Sequence, residues 1–352
     1  MRFPLIVILI MIGIVVTGSS WSQESAVYPS HAFADRSILL PNSPYPFVAL
    51  AGDTDRNFYV LAWDQLVKLN PKGEVLLRLF FQRGQGPGEV QNLPASLAVG
   101  LDNLVYVNDG NKILVYDATL KFVRNINIRP SGNDFLVDKA GNLFCRKSDY
   151  DSSNPEESVA KYSAQGSLSG TFLKARDLAF SISGGIAVKT SHAYIPRCLF
   201  CLDSRGSLFL LPNTGSEVLS VDSQGDVLPV FKLSIQKITI STEEKSEIEK
   251  IYVTSTKSTF PFKVALRFAD YRPFYSRMLI DEMDRFYMVR TKSVLDKRSE
   301  AIVDVYHNGQ KIKEIIVGGD PTLIMRGDLY FINNKDDGIG EPISIIWRTK
   351  VY

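Results

Sequence analysis

Gly100-Leu101-Asp102…Val105-Tyr106-Val107 sets two small or apolar residues before an Asp, then a tight bend, then an aromatic among aliphatic residues. The phrase recurs as Ala51-Gly52-Asp53…Phe58-Tyr59-Val60, Val137-Asp138…Leu143-Phe144-Cys145, Leu202-Asp203…Leu208-Phe209-Leu210 and Ile280-Asp281…Phe286-Tyr287-Met288. A sixth copy, Met325-Arg326…Leu329-Tyr330-Phe331, lacks the Asp. Each copy reads as two short strands around a hairpin, with Asn57, Gly141, Gly206 and Asp284 expected to supply positive φ at the bend. A second hairpin follows most copies, as in Val67–Val75, Leu114–Val123, Ala160–Gly166, Leu219–Gly225 and Val303–Gly309. Two hairpins make a four-stranded sheet. Six such sheets predict an all-β chain closed into a six-bladed β-propeller.

The sixth copy lacks a clear second hairpin. Ile343–Trp347 is expected to be its third strand, and the segment Ala32 to Leu40 its outermost one, which would join the two ends of the chain and remove two open sheet edges. The long intervals from Asp138 to Asp203 and from Asp203 to Asp281 carry insertions, placed at residues 173–200 and 233–276. The second holds the one expected helix, inserted between blades 4 and 5. Ser241-x-x-Glu244 fits a capping box, and Ile248, Ile251 and Tyr252 form an apolar stripe to lay on the ring.

The run Phe81-Gln82-Arg83-Gly84-Gln85-Gly86-Pro87-Gly88-Glu89…Leu93-Pro94…Leu97-Ala98-Val99 continues into Tyr106-Val107-Asn108-Asp109…Asn111-Lys112-Ile113…Tyr116-Asp117. It resembles an NHL-type repeat, and is similar in particular to exported six-bladed β-propeller proteins of bacteria. The full pattern covers residues 80–126, with Lys112 where the family pattern has Arg. The resemblance implies the ring. It implies no single activity, because NHL-type rings host enzymes, sensors and binding modules alike.

Arg2 followed by the apolar run Pro4–Val16 and small residues at Gly18, Ser19 and Ser20 reads as a signal peptide over residues 1–22. Residues 23–352 are then expected to be one propeller domain, periplasmic or secreted, and not an integral membrane protein after cleavage. With 40 basic and 38 acidic residues, no basic excess points to nucleic acid. The three cysteines do not make a disulfide scaffold. In an extended strand Cys198 and Cys201 would point to opposite sides with Cα atoms about 10 Å apart, too far to bridge.

No histidine pair, zinc-spaced cluster, nucleophile elbow or phosphate loop is present in the sequence. The Gly84–Gly88 run is read as a turn that Arg83 and Glu89 fix by pairing. Acidic runs at Asp53–Asn57 and Asp149–Glu157 lack the spacing of a calcium loop, so no cofactor is expected, with calcium or another divalent cation as the alternative. The insertions and the Arg83–Pro94 turn should emerge on one end of the channel, the usual ligand face of a ring. Candidate ligand contacts there are Arg83, His192, Tyr194, Arg197, Tyr271 and Arg272, whose aromatic and basic mixture suits an anionic, planar or sugar-like group. The competing reading has the aromatics packing the insertion onto the ring while the charges stay in water. The expected function is a non-enzymatic scaffold or binding protein for a protein, small-molecule or glycan ligand. The alternatives are a metal-dependent lactonase- or lyase-like enzyme working in the channel, and an envelope protein whose ring edges mediate assembly.

Overall fold

Asp102 shows why each copy of the phrase becomes a hairpin. One carboxylate oxygen accepts the Leu104 N–H at 3.1 Å and the other accepts the Tyr106 hydroxyl at 2.5 Å, so one side chain closes the turn and anchors the returning strand. Asp53 repeats the device with the Asn57 N–H and the Tyr59 hydroxyl, and Asp281 with the Arg285 N–H and the Tyr287 hydroxyl. Asp138 and Asp203 accept turn N–H groups in the same place. Burial and the neighbouring carboxylate push the Tyr59 and Tyr106 hydroxyls well above the usual phenol range, so both stay donors. The second hairpins close the same way, on Asn70, Asp117, Ser163 and Asp222.

A computed structural model describes residues 26–27, 38–40, 43, 45–128, 130, 134–149, 156–176, 181–183, 186–190, 194, 197–256, 264–336 and 342–351. The signal-peptide reading of residues 1–22 lies outside them. Six antiparallel sheets follow one another along the chain. Blade 1 comprises Phe47–Gly52, Phe58–Ala62, Gln65–Leu69 and Val75–Phe80. Blade 2 comprises Ser96–Val99, Val105–Asn108, Ile113–Tyr116 and Phe122–Ile126. Blade 3 comprises Phe135–Val137, Leu143–Asp149, Glu156–Tyr162 and Leu168–Arg176. Blade 4 comprises Cys198–Leu202, Leu208–Pro212, Glu217–Val221 and Val227–Lys232. Blade 5 comprises Tyr275–Ile280, Phe286–Arg290, Ala301–His307 and Gln310–Val317. Blade 6 comprises Leu323–Met325, Asp328–Asp336, Pro342–Lys350 and, from the other end of the chain, Ile38–Leu39.

The expected closure is therefore present: Ile38 and Leu39 pair antiparallel with Ile346 and Ile345. A further strand, Ala26–Val27, adds in parallel to the outer edge of blade 5. Apolar side chains fill six separate clefts, one between each pair of neighbouring blades, so the ring closes on packing as well as on hydrogen bonds. Cys198 faces blade 3 beside Phe144 and Val159, whereas Cys201 faces blade 5 beside Met278 and Phe286. Both thiols and that of Cys145 are free and buried.

Four local expectations need correction. Positive φ in the first turn belongs to Arg56 (φ 67°), not Asn57, because Asn57 is the residue whose N–H and side chain Asp53 binds. Ile251 is exposed and does not lie on the ring; the helix Thr242–Thr256 buries Glu244 and Ile248 instead. Blade 3 extends to Arg176, so the first insertion begins after that residue. Arg83 and Glu89 do not pair. Arg83 donates to the carbonyls of Asn92 (2.7 Å) and Trp63 (3.5 Å), while Glu89 accepts the Gly86 N–H at 2.7 Å. Lys112 ties the same turn down through the Gly86 carbonyl at 3.3 Å.

Candidate functional site

In a propeller the connection from the outermost strand of one blade to the innermost strand of the next always emerges on one face, and both insertions are such connections. They also join each other. Ile186–Thr190 of the first pairs in parallel with Val264–Arg267 of the second, and Ser181–Ser183 extends the same sheet. Ile238–Thr239 and Tyr271–Arg272 form a small ribbon beside it. The helix Thr242–Thr256 starts at the expected capping box: the Glu244 N–H donates to Ser241 Oγ at 3.1 Å and the Ser241 N–H to Glu244 Oε2 at 3.2 Å.

Glu244 does more than cap. Its Oε1 accepts the Tyr194 hydroxyl at 2.8 Å, Arg272 Nη1 at 2.9 Å and the Ser293 hydroxyl. Tyr194 belongs to the first insertion, Arg272 to the second and Ser293 to a loop of blade 5, so one carboxylate fastens three segments. The Tyr194 hydroxyl oxygen in turn accepts the Val294 N–H at 3.1 Å. Burial raises the Glu244 carboxyl, but hydrogen bonds from Ser293, Tyr194 and Ser241 and the Arg272 charge outweigh it and hold the group below its ordinary value. Tyr194, Ile240 and Ile248 form a small apolar cluster of their own beneath this latch.

A second buried network lies within blade 5, whose Tyr275 packs in the cleft shared with blade 4. Asp304 pairs with Arg290 (2.8 Å) and Lys311 (2.7 Å) and accepts the Tyr275 hydroxyl at 2.9 Å. Burial raises the Asp304 carboxyl, but its bonds to Arg290 and Lys311 bring it below the usual carboxylate range. The Phe274 ring, at the end of the second insertion, lies 5.7 Å from the Arg290 guanidinium. Between blades 3 and 4, Arg146 donates to the Cys198 carbonyl at 3.3 Å and pairs with Asp134 at 3.1 Å.

The predicted contacts divide accordingly. Tyr194 and Arg272 come together, but on Glu244, with the Arg272 guanidinium 6.0 Å from the Tyr194 ring centre. Tyr271 is 45 % exposed, with the Lys237 ammonium 5.1 Å from its ring. The Arg197 N–H donates to Asn213 Oδ1 at 2.7 Å, while its half-buried guanidinium has no partner among the described residues. Arg83 stands across the ring, on the connection between blades 1 and 2. His192 lies outside the described residues.

Arg277 was missed. It is the only charged residue on any of the six innermost strands, it is half-buried, and its guanidinium likewise has no partner among the described residues. Its strand and the one that Arg197 precedes are neighbours around the channel. The available signal was a lone Arg in an otherwise apolar strand beginning Tyr275-Ser276. None of the innermost strands carries Asp or Glu. The recurrent Asp side chains spend both oxygens on groups of their own hairpins, and among the described residues no three of His, Cys, Asp and Glu converge. In the acidic run Asp149–Glu157, residues 150–155 lie outside the described set. No helix among the described residues is long and apolar enough to cross a membrane.

No protein-family model matches the chain, and no curated protein sequence matches it. Among solved structures it is similar to regucalcin, a calcium-binding protein from Agrobacterium tumefaciens, at 13% identity and a TM-score of 0.47 over 93% of this chain and 97% of that one. It is similar to virginiamycin B lyase from Staphylococcus aureus at 10% identity and a TM-score of 0.44, over 90% of this chain and 99% of that one. A gluconolactonase from Xanthomonas campestris is similar at 11% identity and a TM-score of 0.44, over 88% of each chain.

Proposed function

We propose that this chain is an exported ring-shaped binding protein that holds an anionic partner, small molecule or acidic glycan on the face bearing the two insertions. The supporting observation is the contrast among basic groups there. Arg272 is consumed by Glu244, while Arg197 and Arg277, beside neighbouring innermost strands, keep their guanidinium groups without partners among the described residues. A guanidinium offers two parallel N–H donors that match a carboxylate or phosphate, and Tyr271 supplies an exposed ring for a sugar or aromatic group nearby. Export follows from the reading of residues 1–22.

The test is direct binding of the purified protein to acidic and neutral oligosaccharides and to envelope proteins of the producing organism. Arg197→Ala and Arg277→Ala should each weaken the affinity found by about tenfold, the loss of one charge-assisted hydrogen bond. Lys139→Ala, in a turn on the opposite face, should leave it unchanged. Full affinity in both arginine variants rejects this face. A metal-dependent lactonase or lyase would have to draw its carboxylates from loops, and elemental analysis for a stoichiometric divalent cation separates that reading from ours.

A further inference from the structure

Of the aromatic pairs among the described residues, all but one bury at least one of their rings. The exception is Tyr45 with Trp63, whose ring centres lie 5.6 Å apart with the planes inclined at 43°. Tyr45 is 42% exposed and Trp63 is half-buried. Neither the Tyr45 hydroxyl nor the Trp63 indole N–H has a partner among the described residues. Trp63 and Asp64 turn the second strand of blade 1 into its third, and Tyr45 leads into its first. The pair therefore sits at the same end of the ring as the insertions, but across it from Arg197 and Arg277. Its backbone is fixed on both sides. Ser43 Oγ accepts the Tyr45 N–H at 3.1 Å and donates to Asp64 Oδ1 at 3.3 Å. Arg83 donates from Nη2 to the Trp63 carbonyl at 3.5 Å and from Nη1 to the Asn92 carbonyl at 2.7 Å. Asp64 Oδ2 and the Arg83 Nε–H have no partner among the described residues.

We propose that Tyr45, Trp63, Asp64 and Arg83 form a binding site for one pyranose ring of a neutral glycan, separate from the anion site above and not dependent on it. A pyranose has an apolar C–H face and a rim of hydroxyls. An aromatic face suits the first, and Tyr and Trp join that face to a polar tip. The rim needs donors and acceptors side by side. Asp64 Oδ2 accepts from hydroxyls, while the Arg83 Nε–H and the Trp63 indole N–H donate to them. Charge selects the class of ligand. Asp64 and Arg83 carry opposite signs next to the same two rings, so the corner has no net charge with which to hold an anion, unlike the Arg197 and Arg277 pair. A ring pair serving only to pack the chain before blade 1 would bury one ring, as the other pairs do. The hydrogen bonds from Ser43 and Arg83 fix the corner before any sugar arrives, which lowers the ordering cost of binding.

Titration calorimetry of the purified protein with maltotetraose, cellotetraose, mannotetraose and chitotetraose reads the outcome. At least one should bind with a dissociation constant of about 1 mM or tighter, and its binding should shift the tryptophan emission to the blue. Tyr45→Ala and Trp63→Ala should each weaken that affinity at least tenfold, the loss of one stacking face. Trp63→Phe keeps an aromatic face, so it should retain most of the affinity while abolishing the emission shift. Lys139→Ala, on the opposite face, should change neither. Circular dichroism should be unchanged in Tyr45→Ala and Trp63→Phe, which carry the test if Trp63→Ala fails to fold. Absence of binding to all four sugars, full affinity in Tyr45→Ala, or an emission shift that survives Trp63→Phe overturns the proposal.

Discussion

Glu244 gathers hydrogen bonds from residues far from it in the chain, Tyr194 and Ser293 among them, and removing it would leave the Arg272 charge and the Tyr194 hydroxyl buried without their acceptor. Breaking one side of a buried ion pair costs about 3 kcal/mol, so Glu244→Ala should lower unfolding free energy at neutral pH by about that amount in urea titrations. The effect has a defined pH dependence. A carboxyl held below its ordinary value adds stability that is complete above the unfolded value and is lost as pH falls through the folded one. The gap between wild type and Glu244→Ala should therefore be constant above about pH 5 and shrink below about pH 4. A gap independent of pH would show that the lost stability is packing rather than charge. Half of this residue's work was legible: Ser241-x-x-Glu244 announces a cap. The other half was not, because no local pattern links residue 244 to residues 194 and 293.

At the scale of the element, turn chemistry was the most legible part of the chain, since an Asp or Asn two to four residues before the N–H groups it binds is a local signal. It failed by one position at Arg56, because a neighbouring Asn is as willing a turn former as the residue that takes the strained φ. The strand Ala26–Val27 had no signal at all, being too short for a period of two to register. The strand Cys198–Leu202 was read correctly, its alternation sending one thiol to each side. Burial pushes the Cys145 and Cys198 thiols up to about 12 and Cys201 higher still, so none offers a thiolate at neutral pH. A thiol reagent such as dithionitrobenzoate should find no reactive cysteine in the native protein and three once it is unfolded in guanidinium. Fast reaction of one thiol before unfolding would mean that a blade cleft opens on its own.

For the whole molecule the decisive joint is the one where the ends of the chain meet. Ile38 and Leu39 pair with blade 6, and Leu40 is buried in the cleft shared by blades 6 and 1. The same segment also leans on blade 1. A Cβ added to Gly73 would sit 2.5 Å from Ile38 Cγ2, and Gly73 occupies the left-handed region at φ +91°. Gly73→Ala thus carries two penalties. The backbone alone costs about 1–2 kcal/mol, and the collision with Ile38 adds to it. Ile38→Ala removes the colliding methyl, so in that background Gly73→Ala should fall back toward the backbone cost. The two substitutions should then show a coupling of about 1 kcal/mol in a double-mutant cycle. Leu40→Ala should independently cost about 3 kcal/mol, as for other buried leucines. If the Gly73 and Ile38 costs simply add, the strap does not rest on blade 1 through Ile38, and closure depends on its pairing with blade 6 and the burial of Leu40.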